Sequence, residues 1–397
     1  MRNGTLLLIL AGAVLAVSAA LAGVRLRAAD VKVADPTSVV MIVNRDSNEI
    51  AFMDIKTHKI VGKTFLGNNV NPHMVMMSPD GRYVVTGGTR ANKAYIIDAR
   101  TLELVKVIPV DIAPEHLAFS PDGRWYYQGN PDGDSISVID MVSLTKIKTI
   151  PGLVEPLNVT FSSDGAKAYV GNYGAHWVGV IDVRRHELLK KIQIDKVPGI
   201  AKLDPAKYLG ELHGINIAAP SNDGRYLYAA DGTLGVVGVI DTREDTIVKV
   251  IRVGLDPWRI YLSHDGKYGI TPNNGDETIS IIDLAAGKVA ATLEGGPKMT
   301  GVNFAAGKAF VISSTSGFVY VYNMTTLKPA GRLKIGTNIQ LETATTDTAD
   351  QKLYLADSTE NAVVIIDAKT EAIEKVTNVG FYPWGTHIMD SKDNYCH

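Results

Sequence analysis

The sequence predicts an all-β fold, a β-propeller of eight four-stranded blades closed by a clasp between its two ends. Three observations predict it. The first is a recurring turn: Ser-Pro-Asp-Gly at residues 78–81 and 120–123, with looser copies starting at Ser162, Ser221 and Ser263. The second is an apolar run closed by Asp, at Asp54, Asp98, Asp140, Asp182, Asp241, Asp283 and Asp367, with Asn323 in that place in one unit. These closing residues are 44, 42, 42, 59, 42, 40 and 44 apart, a period near 42 with one long step. The third is that helical periodicity is confined to the first two dozen residues.

Each period divides into four short strands. In one unit they read HMVMM, YVVTGG, AYIID and LVKVIPV. An Asp-Gly pair turns the first strand into the second, and segments such as DART turn the third into the fourth. Four antiparallel strands in 40–45 residues is the habit of a propeller blade. The closing Asp residues recur once per blade, which fits turn capping and not catalysis. The chain begins its blades at Ser38 with a second, third and fourth strand, VVMIVNR, IAFMD and KIVGKTFL. It ends with a lone first strand, PWGTHIMD. The two ends therefore complete one blade and remove an open sheet edge. Seven whole units lie between them, giving eight blades. A seven-bladed ring is the alternative if the unit around Asn323 is irregular.

Domain organisation follows. Residues 1–29 hold one early Arg, an uncharged run from Thr5 to Val24 and the small-x-small triplet Ala20-Leu21-Ala22, the pattern of a secretory signal. An uncleaved anchor is the alternative, because the run is nearly long enough to cross a bilayer. Residues 30–37 form a short linker and 38–397 a single propeller, with an insertion at 195–214 that accounts for the long step. No second apolar run exists, so the mature chain is expected to have no membrane span. With 40 Lys+Arg against 42 Asp+Glu and no basic block, nucleic acid is not an expected partner.

Chemistry is expected where the innermost strands begin, since the loops leading into them form one rim around a central channel. Five of these loops carry Pro72, Pro114, Pro156, Pro257 and Pro383. Just beyond them come His73, Glu115 with His116, Asn158, Trp258 with Arg259, and Trp384 with His387, while another blade adds His213 and Asn216. The loops around Thr300 and Gln340 look bland. Four imidazoles beside a carboxylate could hold a transition metal or offer a haem an axial ligand; polar groups solvating channel water are the alternative. Trp258 and Arg259 could equally anchor a partner. The insertion would project from the same rim, with Lys196, Lys202, Lys207 and Tyr208 as partner contacts. Its deletion is expected to spare folding and weaken association. No nucleophile elbow, phosphate-binding loop or dinucleotide fingerprint is present, so no independent catalytic site is expected.

On these residues the chain resembles known families. The stretches VVMIVNRDSNEIAFMDIKTHKIVGK and NVTFSSDGAKAYVGNYG resemble the YVTN-type propeller repeats of exported bacterial proteins, a broad group that includes cytochrome d1-like propellers. The resemblance spans about residues 38–390. More narrowly, HGINIAAPSNDGRYLYAADGTLGVVGVIDT and VGLDPWRIYLSHDGKYGITPNNGDETISIID resemble the β subunits of hydrazine synthase, which acts in anaerobic ammonium oxidation. That resemblance implies a heterotrimer whose α and γ subunits carry c-type haems while the propeller carries none. The complex would make hydrazine from nitric oxide and ammonia, and this chain would scaffold and shield a haem site on a partner. It implies export to a periplasm-like compartment or the anammoxosome lumen, and a ring of seven blades where the repeats count eight. Two other functions remain open. One is a free-standing exported propeller binding a tetrapyrrole or metal through His73, His116, His213 or His387. The other is a structural, surface-layer type of propeller.

The chain ends in SKDNYCH. A haem-attachment motif C-x-x-C-H would need a first Cys at residue 393, where Asp393 stands. Covalent haem attachment by this chain is therefore not expected, and Cys396 reads as a free thiol on a tail.

Overall fold

The structure, a computed structural model, describes residues 31–200, 213–347 and 351–393. Thirty-two strands form eight four-stranded antiparallel sheets. Among the described residues, helix is limited to two single turns, Pro36–Ser38 and Pro131–Gly133. The unit around Asn323 is as regular as the others, with strands Met299–Ala305, Lys308–Ser313, Phe318–Asn323 and Lys328–Lys334. The ring has eight blades, and the seven-bladed alternative is excluded.

We number the blades in chain order from the clasp. Blade 1 joins Val39–Asn44, Glu49–Asp54 and Ile60–Phe65 to the last strand, Pro383–Ile388, which lies innermost. Val40 faces Ile388 and Met41 faces His387 across the antiparallel ladder. Closing the ring in this way pairs strands from the two ends of the chain and leaves only the short outer strands of the blades as sheet edges. First strands of neighbouring blades contact one another, so these strands converge on the axis.

Two side-chain devices recur among the blades. In the first hairpin, Ser78 Oγ donates to Asp80 Oδ1 at 2.6 Å and accepts from the Tyr83 backbone N–H at 2.9 Å. Gly81 takes φ = +68°, which a Cβ would strain. The same Ser–Asp bond recurs at Ser120, Ser162, Ser221 and Ser263. In the third hairpin, Asp54 Oδ1 accepts from the backbone N–H groups of Lys56 and Thr57 at 3.1 and 2.7 Å. Asn323 Oδ1 does the same for Thr325 and Thr326, both at 2.9 Å, which explains why an amide can replace the acid there.

Burial falls from the axis outward. The second strand Tyr83–Gly88 is buried throughout, whereas the outer strand Leu104–Pro109 is mostly exposed. Apolar side chains pack between blades: Met41 and Phe52 of blade 1 share a cluster with Val84 and Ile97 of blade 2. Such face-to-face burial, repeated around the ring, supplies the driving force for closure.

Residues 1–29, expected to be a signal, and Lys202, Lys207, Tyr208 and Cys396 lie outside the described residues. At the described edge of the insertion, Lys196 is 72% exposed and pairs with its neighbour Asp195 at 2.7 Å. No helix among the described residues is long and apolar enough to cross a membrane.

Candidate functional site at the channel mouth

The start of each innermost strand is fixed by its pairing with the end of the second strand: Pro72 with Gly88, Pro156 with Asn172, Ile215 with Asp231, Pro257 with Asn273, Met299 with Ser313 and Leu341 with Asp357. Blade 3 follows suit, because Glu115 N–H donates to Gly129 O at 3.0 Å just as Trp258 N–H donates to Pro272 O at 2.9 Å. The next residue in each blade then forms a ring: His73, Glu115, Leu157, Asn216, Trp258, Thr300, Glu342 and Trp384. Consecutive members are 42 residues apart, except for the step of 59 across the insertion.

Half of this ring encloses a cavity of about 430 Å³ whose lining includes His213, Asp256, Trp258, Lys298, Met299, Thr300, Gln340, Glu342 and Trp384. That volume lies in the range of small-molecule and cofactor sites. Trp258, Trp384 and Met299 supply its aromatic and apolar wall, and the rest of the lining is polar, with a cation at Lys298 and carboxylates at Asp256 and Glu342. The Trp258 indole N–H is buried and has no hydrogen-bond partner among the described residues.

Two groups of titratable residues flank the cavity. On one side, His213 Nδ1 lies 2.9 Å from Asp256 Oδ1. A carboxylate only accepts, so Nδ1–H donates to Asp256. The ring stacks on Tyr173 at 5.4 Å, and Tyr173 meets Trp258 edge-on at 5.8 Å. On the other side, His73, Glu115 and His116 bring one ligand atom each to within 4.8 Å of one another. His73 Nε2 is 4.0 Å from Glu115 Oε2, and the rings of His73 and His116 lie 5.4 Å apart. Trp384 joins the two sides, 5.6 Å from His73 and lining the cavity. Arg45 lies over Trp384 at 4.2 Å and donates to Asn71 Oδ1 at 2.8 Å.

Glu115 keeps 29% of its side-chain surface, yet the protein around its carboxyl withholds enough solvent to push its pKa up to about 7. Arg45 opposes that shift and Asp132 adds to it.

The other expected rim residues divide by position on the strand. Trp258 and Arg259 lie between the isolated bridge at Pro257 and the strand Tyr261–Leu262. Trp258 lines the mouth, but Arg259, 2% exposed, lies over Tyr261 at 5.1 Å and lines a separate cavity of about 310 Å³ with Ile217, His264 and Lys392. Asn158 is buried and donates to Asn216 Oδ1 at 3.3 Å, bridging blades 4 and 5. His387 lies three residues beyond Trp384, about 10 Å further along the strand, and burial depresses its pKa to about 3. It belongs to the channel wall and not to the rim.

The loops that look bland in sequence supply part of the site. Thr300, Gln340 and Glu342 all line the cavity. Glu342 Oε1 accepts from Gln340 Nε2 at 2.7 Å and Ser358 Oγ at 2.8 Å. The step of 42 from Trp258 would have found both Thr300 and Glu342.

A cytochrome D1 heme domain family model matches residues 15–116, about a quarter of the chain, and that stretch contains His73, Glu115 and His116. Dihydro-heme d1 dehydrogenase NirN, solved in complex with DHE, superposes with a TM-score of 0.73 at 19% identity, covering 90% of this chain and 76% of that one. The chain has a d1-like propeller fold. Hydrazine synthase from Kuenenia stuttgartiensis superposes with a TM-score of 0.56 at 22% identity, covering 76% of this chain and 97% of that one. A functionally unknown protein from Desulfotomaculum acetoxidans DSM 771 has a TM-score of 0.56 at 12% identity, covering 88% of this chain and 98% of that one. No curated protein matches in sequence.

Proposed function

We propose that this d1-like propeller binds a tetrapyrrole at its channel mouth and works in an exported redox system. The observation that carries the proposal is the 430 Å³ cavity itself, walled by Trp258 and Trp384, with the His213–Asp256 pair on its lining. The donor set suits such a ligand. Two indoles and Met299 would lie against a flat macrocycle, Lys298 would meet its carboxylates, and the buried Trp258 N–H would gain an acceptor. Asp256 holds His213 as metal-ligating imidazoles are commonly held, by a carboxylate on the other ring nitrogen. A bound tetrapyrrole iron would supply one-electron or small-ligand chemistry.

The test is titration of the full mature chain with protohaem and with a dihydro-haem d1. One equivalent should bind, with a shifted Soret band. His213→Ala should alter the axial-ligand signature, and Trp258→Ala should weaken uptake. Absence of stoichiometric binding by either tetrapyrrole would overturn the proposal.

The similarity to hydrazine synthase favours a second reading, in which the chain is a haem-free subunit that covers a c-type haem on α- and γ-like partners. The mouth would then face a partner's haem edge instead of holding its own. The similar region is nearly all of the hydrazine synthase chain but leaves about a quarter of this one uncovered. Eight blades also stand against the seven which the narrower resemblance implies. Purification from the native host separates the readings: a coloured monomer supports the tetrapyrrole site, and a colourless chain held in a coloured complex supports the subunit.

A further inference from the structure

The tetrapyrrole proposal leaves the other side of the mouth unused. There, His73, Glu115 and His116 come from two adjacent blades and converge below Trp384. The geometry points to a second site, for a first-row divalent transition metal, with His73 and His116 as imidazole ligands and Glu115 as the carboxylate. Two imidazoles and one carboxylate on a single face of the ion match a donor set that suits iron(II), cobalt(II) or zinc(II) and leaves positions open.

The convergence follows from the fold. His73 and Glu115 hold the same ring position in successive blades, so their side chains meet across the blade interface. His116 follows Glu115 in the chain, just before the strand Leu117–Phe119, and its imidazole reaches the same point. Both imidazoles are held: His73 is packed between Trp384 and His116, and His116 has no exposed surface. Glu115 is the more exposed of the three and the one with room to move. A filled tetrahedral site with bonds of about 2.0–2.1 Å puts ligand atoms about 3.4 Å apart. Here the His73–Glu115 separation is 4.0 Å and none of the three exceeds 4.8 Å, so a modest swing of the Glu115 carboxylate toward the rings closes the site.

Electrostatics are consistent with that closure. Arg45, the cation whose charge acts on the Glu115 carboxylate, spends its hydrogen bonds on Asn71 Oδ1. A dication among the three ligands would supply the missing counter-charge. The open positions would face the mouth, since Glu115 is the ligand that retains solvent contact. The site would therefore present an exogenous ligand to the same cavity that Trp384 borders.

The experiment uses the full mature chain, stripped with a chelator and free of tetrapyrrole, titrated with cobalt(II). Visible d–d absorption reports coordination and native mass spectrometry reports stoichiometry. One cobalt per chain is expected. Glu115→Gln, nearly isosteric and on the exposed edge, should weaken binding by more than the factor of about 10–100 typical of losing an outer-shell partner. His73→Asn should do the same, with thermal unfolding used to confirm that both variants are folded. His213→Ala should bind cobalt as the wild type does. Substoichiometric cobalt uptake, or uptake indifferent to Glu115→Gln, would overturn the metal site while leaving the tetrapyrrole proposal standing. A protohaem spectrum that changes in His73→Asn but not in His213→Ala would also overturn it, by assigning His73 to the tetrapyrrole.

Discussion

His264 Nε2 lies 2.8 Å from Asp393 Oδ1, and this contact ties the end of the described chain back beneath the ring. Asp393 is fully buried, and its second oxygen accepts from the Phe304 N–H and from Thr346 Oγ, both at 2.8 Å. One carboxylate thus joins blades 6, 7 and 8 just after the clasp strand ends. Removing one member of such a buried network strands the rest. We expect Asp393→Ala to cost about 3 kcal/mol, read as a lower urea midpoint at an unchanged slope.

The same residue settles how the SKDNYCH ending behaves. Asp393→Cys would complete C-x-x-C-H on paper. The side chain at 393 is buried among hydrogen-bond donors, so the expected outcome is a destabilised chain with no covalent haem when co-expressed with a haem-attachment system. Mass spectrometry of the intact protein reads the result; a haem adduct would show that the tail can leave its seat at little cost.

Acid should loosen the ring through His387. Its folded pKa is depressed to about 3 from 6.5 because burial disfavours the imidazolium. Between those values the unfolded chain binds a proton that the folded chain refuses. The neutral ring therefore contributes stability above pH 6.5 that is lost as pH falls toward 3, by up to about 1.4 kcal/mol per pH unit. Unfolding midpoints measured across this window should show a shallower slope in His387→Phe than in the wild type. Equal slopes would remove His387 as the cause.

The turn-capping residues offer a milder test. Asp54 and Asn323 make the same pair of backbone hydrogen bonds in different blades. Asn323→Asp should therefore change stability by no more than about 0.5 kcal/mol, whereas Asp54→Ala should cost about 1 kcal/mol, as loss of a comparable helix cap does. Thermal scans of the two variants make the comparison.

These residues also show what the sequence could and could not reveal. The turns are legible because their chemistry is local: Ser-x-Asp-Gly and the closing Asp satisfy backbone groups within five residues, so the repeat survives in the text and counts eight blades. The clasp is legible for the same reason, as a missing strand at one end and a spare one at the other. The mouth is legible only in part. His73, Glu115, His116, His213, Trp258 and Trp384 attract notice by residue type, and the ring brings them to one end of the channel. Arg259 and His387 attract the same notice, but Arg259 turns to a separate cavity and depth along the strand carries His387 away from the rim. Glu342 and Thr300 have unremarkable neighbours, and only their place in the step of 42 reveals them. The Asp256 carboxylate is found only through the 2.9 Å contact to His213.

Trp384 is the residue on which both proposed sites bear, and its substitution discriminates between them. It lines the cavity, packs at 5.6 Å on His73, stacks on Tyr382 at 6.1 Å and lies under Arg45. Trp384→Ala would open a wall of the cavity and free the His73 ring to turn. Tetrapyrrole affinity should fall by about 10-fold, the upper scale of an aromatic contact worth about 0.5–1.5 kcal/mol. Cobalt affinity should fall less, because the three ligands remain and only their preorganisation is lost. Trp384→Phe keeps a ring against His73 and should restore cobalt binding while leaving tetrapyrrole affinity intermediate. Parallel titrations of the two variants with protohaem and with cobalt(II) measure this. Identical losses for both ligands in both variants would mean that the mouth is one site and not two.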